Sequence, residues 1–212
     1  MVQYFLDGGT FMWPILFLLI FGLGFGLERL YTLIRASVNT RKFMNKVRGA
    51  LHEQGYEAAV EVCSKTRGPV AEILHAGLSR VNRGIDAVEK GIENAGAIEM
   101  AFLEKNMVWL STVVTLAPMI GFTGTVAGMI KAFDDIKQAN DISPAIVAGG
   151  ISIALLTTLF GLVTAIIIQT FQNFLLSRVD KLIIDMEENS VLLIDELVEL
   201  EEKGKLTADT KK

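Results

Sequence analysis

The sequence predicts an all-α integral membrane protein with three transmembrane helices and extended cytoplasmic helices. Two observations carry this. Charged residues are absent from Gly8 to Leu27, from Asn106 to Ile130 and from Ile142 to Ser177, and a helix of about 20 apolar residues crosses a bilayer core. Outside those runs Lys, Arg, Asp and Glu crowd together, although the whole chain is 51% hydrophobic and only 21% charged, with a mean hydropathy of +0.43. Three helices this apolar inside a soluble core would need much more chain than 212 residues to shield them.

Several function classes are disfavoured at once. A net charge of −4 offers no electrostatic footprint for nucleic acid. One cysteine, Cys63, excludes an internal disulfide and a thiolate metal cluster; a small apolar role in a cytoplasmic helix is expected of it. His52 and His75 are the only histidines, without acidic or cysteine neighbours at ligand spacing, so no metal, cofactor or catalytic residue is expected. Gly121-Phe122-Thr123-Gly124-Thr125 is glycine-rich, but it lies in a membrane run and lacks the lysine of a phosphate loop.

The first span, 10–35, follows a short external N-terminus, 1–9. It lacks a basic n-region and a small-residue cleavage site before Glu28 and Arg29, so it is expected to stay in the membrane. Arg29, Arg35, Arg41, Lys42, Lys46 and Arg48 follow it with no acidic residue between Leu30 and Arg48. That excess predicts a cytoplasmic side and an outer N-terminus. Glu28 and Arg29 mark the inner boundary, where either can snorkel or the pair can neutralise itself.

A cytoplasmic helical block is expected over 36–104. Val70, Ile73, Leu74, Leu78 and Val81 form a one-faced stripe after Pro69, and Ile85, Val88, Ile92, Ala95, Ile98 and Phe102 a second. With no proline before the second membrane run, one long helix is predicted to continue from the cytoplasm into the second span, 105–130. Pro118 there can kink the helix, and Gly121, Gly124 and Gly128 form a small-residue ridge. A short external loop, 131–144, leads to the third span, 145–175, which contains Gly161. The tail 176–203 reads as an amphipathic helix with a seam of Leu176, Val179, Ile183, Met186, Ser190, Leu193, Leu197 and Leu200. The seam serves either a coiled coil or the cytoplasmic bundle, and the breadth added by Ile184, Val191, Ile194 and Val198 favours the bundle. A flexible tail is expected over 204–212.

The spans carry hydroxyls but no titratable group at mid-depth. Ser111, Thr112, Thr115, Thr123 and Thr125, then Ser152, Thr157, Thr158 and Thr164, can bond their own helix backbone, orient water or donate to a carboxylate. They cannot change charge near neutral pH. If protons cross through this assembly, a partner helix must bring the acid.

At this point the pattern resembles the MotA/TolQ/ExbB proton-channel family, most like its ExbB and TolQ members. The resemblance rests on Leu116-Ala117-Pro118-Met119-Ile120-Gly121-Phe122-Thr123-Gly124-Thr125-Val126-Ala127-Gly128-Met129 and on Gly150-Ile151-Ser152-Ile153-Ala154-Leu155-Leu156-Thr157-Thr158-Leu159-Phe160-Gly161-Leu162-Val163, together with Leu27-Glu28-Arg29 closing the first span. It implies a homo-oligomer, a pentamer, around a central pore lined by the second and third spans. A dimer of an ExbD- or TolR-like single-span protein stands in that pore, each copy bringing one membrane aspartate beside threonines that match Thr125 and Thr158. A TonB-like or TolA-like protein carries the work outward from the inner membrane. Thr125, Thr158, Thr115, Ser152 and Thr157 are the expected proton-path residues, with protons rather than sodium as coupling ion. Many relatives have glutamate where this chain has Ile153, so the family's path does not transfer whole. A TolQ-like role in envelope maintenance, a MotA-like or gliding motor (proton- or sodium-driven), and a passive scaffold are the competing readings.

Overall fold

The structure, a computed structural model, describes residues 2–37, 39–139 and 144–203. Its elements are all helical: α1 (Val2–Asp7), α2 (Met12–Ala36), α3 (Thr40–Gln54), α4 (Tyr56–Ser64), α5 (Pro69–Leu78), a 3-10 turn (Val81–Arg83), α6 (Ile85–Glu104), α7 (Met107–Ala139) and α8 (Pro144–Glu202). Among the described residues, helices α2, α7 and α8 carry the three stretches long and apolar enough to cross a membrane. The chain divides into two compact units: residues 1–30 with 106–175, and residues 31–105 with 176–212.

In the first unit, α1 occupies the stretch expected to be a short external terminus. At the far end of the second span α7 continues as helix through Lys131, Asp134 and Asp135 to Ala139, where the sequence reading begins a loop. Ala132 explains the extra turns: it is buried against Gly150 of α8, so the helix gains packing after its apolar run ends. The rest of the expected loop, 140–143, lies outside the described residues. The predicted continuous helix into the second span is also corrected. It breaks at Lys105 and Asn106, where Asn106 has φ 65°, a left-handed conformation that asparagine tolerates better than most residues.

The second unit is a helical bundle. Phe43, Met44, Val47 and Leu51 of α3, Ala59 and Cys63 of α4, and Val70, Ile73, Leu74 and Leu78 of α5 form its core with Val88 and Ile92 of α6. Asn39 caps α3 by accepting from the Lys42 N–H at 3.2 Å. The α6 stripe ends earlier than its periodicity implies: Ile98 and Phe102 are 69% and 48% exposed, and Leu103 is buried instead. The tail half of α8 buries Val179, Leu182, Met186, Asn189, Ser190, Leu193, Leu197 and Leu200. Leu182 replaces Ile183 in the expected seam, and Leu176 is exposed. The stripe belongs to the bundle, because Glu196 lies 3.0 Å from Arg48 Nε and 2.7 Å from His52 Nε2 of α3.

Candidate functional site: the threonine-bearing flank of α7 and α8

Small residues bring α7 and α8 together. Ala117, Gly121, Gly124, Gly128 and Ala132 recur at steps of three and four, as do Gly150, Ala154, Thr157, Gly161 and Ala165. The two ridges meet antiparallel. A methyl group on Gly161 would stand 2.6 Å from the Ala117 carbonyl oxygen, one on Gly121 2.9 Å from the Thr157 carbonyl oxygen, and one on Gly128 3.1 Å from the Ala154 nitrogen. The backbones themselves are in contact. Such proximity lets dispersion hold helices where lipid supplies no hydrophobic drive.

Helix α2 closes one side of this pair. The Cβ position at Gly22 is 2.9 Å from Ile168 and 3.3 Å from Val113, and that at Gly26 abuts the Phe171 ring. Phe21 and Phe25 lie 6.0 and 6.1 Å from Trp109, and Phe5 of α1 lies 6.3 Å from Phe160. Several of the residues that meet α1 and α2 share a position: Trp109 precedes buried Leu110, Phe160 precedes Gly161, and Ile153 precedes Ala154. Ile153 itself reaches 3.9 Å from the Cβ position at Gly9.

Thr125 and Thr158 have the opposite phase. Each follows a ridge residue, Gly124 and Thr157, and these two face each other, with the Gly124 Cβ position 2.6 Å from Thr157 Cβ. One residue turns a helix by about 100°. In an antiparallel pair, residues that follow the contact therefore emerge on one flank and residues that precede it on the other. Thr125 and Thr158 share the flank away from α2, within about one turn of each other along the pair. Both are half-buried. Thr158 Oγ1 donates to the Gly121 carbonyl across the helices at 3.3 Å, and Thr125 Oγ1 to Phe122 of its own helix.

The five expected hydroxyls thus fall into three settings. Thr157 is fully buried between α7 and α8 and donates to Ile153 and Ala154 of its own helix. Thr115 is exposed and donates to Ser111 O, while Ser152 sits on the exposed face of α8 away from α7. Only Thr125 and Thr158 are brought together. Of the packing residues, Gly121, Gly124, Gly128 and Gly161 all lie on the ridge, and α7 passes through Pro118 as unbroken helix.

A polar pair outside that set shares the threonine flank. Gln172 Nε2 donates to Ser111 Oγ at 2.6 Å. Ser111 and Gln172 each lie two heptads from the threonines, toward the start of α7 and the later part of α8, which is about 21 Å at 1.5 Å per residue. The signal was present as an equal offset from Thr125 and Thr158. At the same end, Arg29 is 2% exposed with Nε 3.1 Å from the Glu28 carboxylate, to which Asn106 also donates at 3.4 Å. Partnering of this kind is what makes a buried guanidinium tolerable.

Residues 65–188, more than half of the chain and inclusive of all of α7, match the model of the MotA/TolQ/ExbB proton channel family. The chain belongs to this family. It is 29% identical to a biopolymer transport protein ExbB homolog of Methanothermobacter thermautotrophicus over 84% of this chain and 64% of that protein. It is 24% identical to an ExbB-like protein of Synechocystis over 78% of this chain and 80% of the relative. A segment covering 46% of the chain is 33% identical to the Tol-Pal system protein TolQ of Pseudomonas aeruginosa, over 47% of its length. The chain therefore spans less than two thirds of two of these relatives. The MotA/TolQ/ExbB assignment and the three long apolar helices make it a multi-pass membrane protein of a channel family, not an enzyme.

Proposed function

We propose that this chain is the oligomeric subunit of an ion-driven motor in a bacterial inner membrane, converting proton motive force into mechanical work with an ExbD/TolR-like partner. The observation that carries the reading is the pair Thr125 and Thr158 at one level on the flank that α2 leaves open. That flank offers neutral oxygen donors and acceptors and no acid of its own. A single-span partner with a membrane aspartate supplies the missing group. Five copies around a pore would present the threonine pair as repeated stops. The N-terminus is outside, the second unit is cytoplasmic, and the outward work passes through a TonB-like protein to outer-membrane transport. A TolQ-like use in envelope maintenance remains the nearest alternative within the same chemistry.

The energetics fit such a device. One charge falling through about 150 mV releases roughly 3.5 kcal/mol. That work is captured when protonation changes which of two states is favoured. A neutral aspartic acid passes an apolar wall at small cost, whereas its charged form costs several kcal/mol unless it meets hydrogen-bond donors. Threonine hydroxyls at a fixed level meet that need.

The test is flux into liposomes holding the chain with and without its co-purifying single-span protein, with proton and sodium gradients collapsed separately. Partner-dependent proton flux is expected, falling roughly tenfold in Thr125→Val or Thr158→Val through loss of one hydrogen bond to a charged group. Flux from the chain alone would refute the reading, as would unchanged flux in both variants.

A further inference from the structure

The second unit holds a cavity of about 430 Å³ lined by Tyr31, Thr32, Arg35, Arg67, Glu72, Glu99 and the neighbouring Phe102 and Leu103. Its charges are balanced in number, two arginines and two glutamates, yet among the described residues none of the four ion-pairs with another within 4.0 Å. Opposite charges that line one cavity without closing on each other leave room for a molecule carrying both signs. Tyr31, Phe102, Leu103 and Pro69 add an apolar wall, with Tyr31 67% and Phe102 48% exposed. The level in the sequence is equally specific. Tyr31 comes just after Glu28 and Arg29, which end the first uncharged run, and Leu103 just before Asn106, which begins the second. Both are positions at which a span meets lipid headgroups.

We infer that this cavity binds the headgroup of a zwitterionic phospholipid of the inner leaflet, phosphoethanolamine, with Arg35 and Arg67 taking the phosphate and Glu72 and Glu99 the ammonium. Arginine matches phosphate through paired donors, and a primary ammonium gives the carboxylates three donors that a quaternary one lacks. Glu99 supports the assignment independently. Its carboxyl is held above the ordinary glutamate range first by burial and then by the negative charge of Glu72. A bound ammonium removes the second cause. An anionic headgroup would add to it. The inference does not rest on the proposed motor, because a passive scaffold with this cavity would bind the same lipid.

The test uses the full-length assembly in detergent, exchanged against equal amounts of phosphatidylethanolamine, phosphatidylcholine and phosphatidylglycerol, with retained lipid counted by native mass spectrometry. Phosphatidylethanolamine is expected to be kept over the other two by roughly tenfold, the worth of one charge-assisted contact. Arg35→Gln with Arg67→Gln should lower retention of every phospholipid. Glu72→Gln with Glu99→Gln should leave total retention and erase the preference for phosphatidylethanolamine over phosphatidylglycerol. If the arginine variant loses its assembly, the glutamate variant, which removes only charge, decides. Equal retention of the three lipids by the wild type overturns the inference, as does an unchanged preference in the glutamate variant. Soluble phosphoethanolamine, added alone, should bind far more weakly than the lipid; equal binding would make a soluble phosphoamine the ligand and overturn the lipid assignment.

Discussion

Replacing Gly161 with alanine probes the α7–α8 contact on which the threonine flank depends. The new methyl would lie 2.6 Å from the Ala117 carbonyl oxygen and 3.2 Å from Gly121 Cα. Both obstacles are backbone, so no side chain can rotate away. Ordinary contact begins at 3.4 Å, and the helices must separate locally by about 0.8 Å to reach it, in keeping with the behaviour of overpacked interiors. The Thr158 to Gly121 hydrogen bond, 3.3 Å long, stretches by a similar amount and is lost. Overpacking costs about 1–3 kcal/mol, against which alanine returns up to about 1 kcal/mol of helix propensity. Gly149→Ala is the matched control, since a methyl there meets nothing within 4 Å and should be neutral or stabilising. The assay is denaturation of the purified chain in mixed micelles, followed by circular dichroism at 222 nm. Equal stability of the two variants would refute the claim that backbone contact sets this spacing.

Thr157→Val should leave stability within about 1 kcal/mol and leave partner-dependent flux intact, because the hydroxyl bonds only its own helix; flux lost as fully as in Thr158→Val would contradict the assigned settings. Ile153→Glu places a carboxylate toward Gly9, between α1 and α2, rather than on the threonine flank, so micelle denaturation should show destabilisation of about 1–3 kcal/mol with no gain in flux. Burial pushes the Cys63 thiol up to about 12, which leaves it protonated and sheltered, so maleimide at pH 8 should label it only after unfolding. For Glu99, the raised carboxyl binds its proton more tightly in the folded state than in the unfolded one. Stability of the lipid-free protein should therefore fall as pH rises from the ordinary glutamate value through the raised one. Glu99→Gln should flatten that slope, measured by thermal melting between pH 4 and 7.

The spans were legible because an absence of charge over a whole bilayer thickness needs no partner to interpret. Cys63 and the stripe from Val70 to Val81 were legible for a related reason, since one helix with one apolar face has few ways to bury it. Adjacent Thr157 and Thr158 were not separable. Both are threonine, both lie in one apolar run, and only the register of Gly124 against Thr157 decides which is sealed and which emerges. Ser111 and Gln172 needed the same register, being 61 residues apart. The break at Lys105 and Asn106 escaped because neither glycine nor proline marks it; asparagine supplies the left-handed turn. Ile98 and Phe102 have helical periodicity, but apolar spacing alone does not say whether a face meets its own chain.

The buried ridge of α8 has a consequence for tolerated change in this protein. From Gly150 to Leu200 the sealed positions keep steps of three and four without a slip, through Gly161, Ile168, Leu175, Val179, Leu182 and Leu193. Glycine and alanine occupy the early positions and leucine the late ones. Within the second unit, a single residue inserted near Leu182 would swing the later positions of α8 by about 100° against α3, exposing leucines and interring glutamates. Indels of whole heptads alone would keep the phase, so the length of this helix is free to vary only in quantised steps.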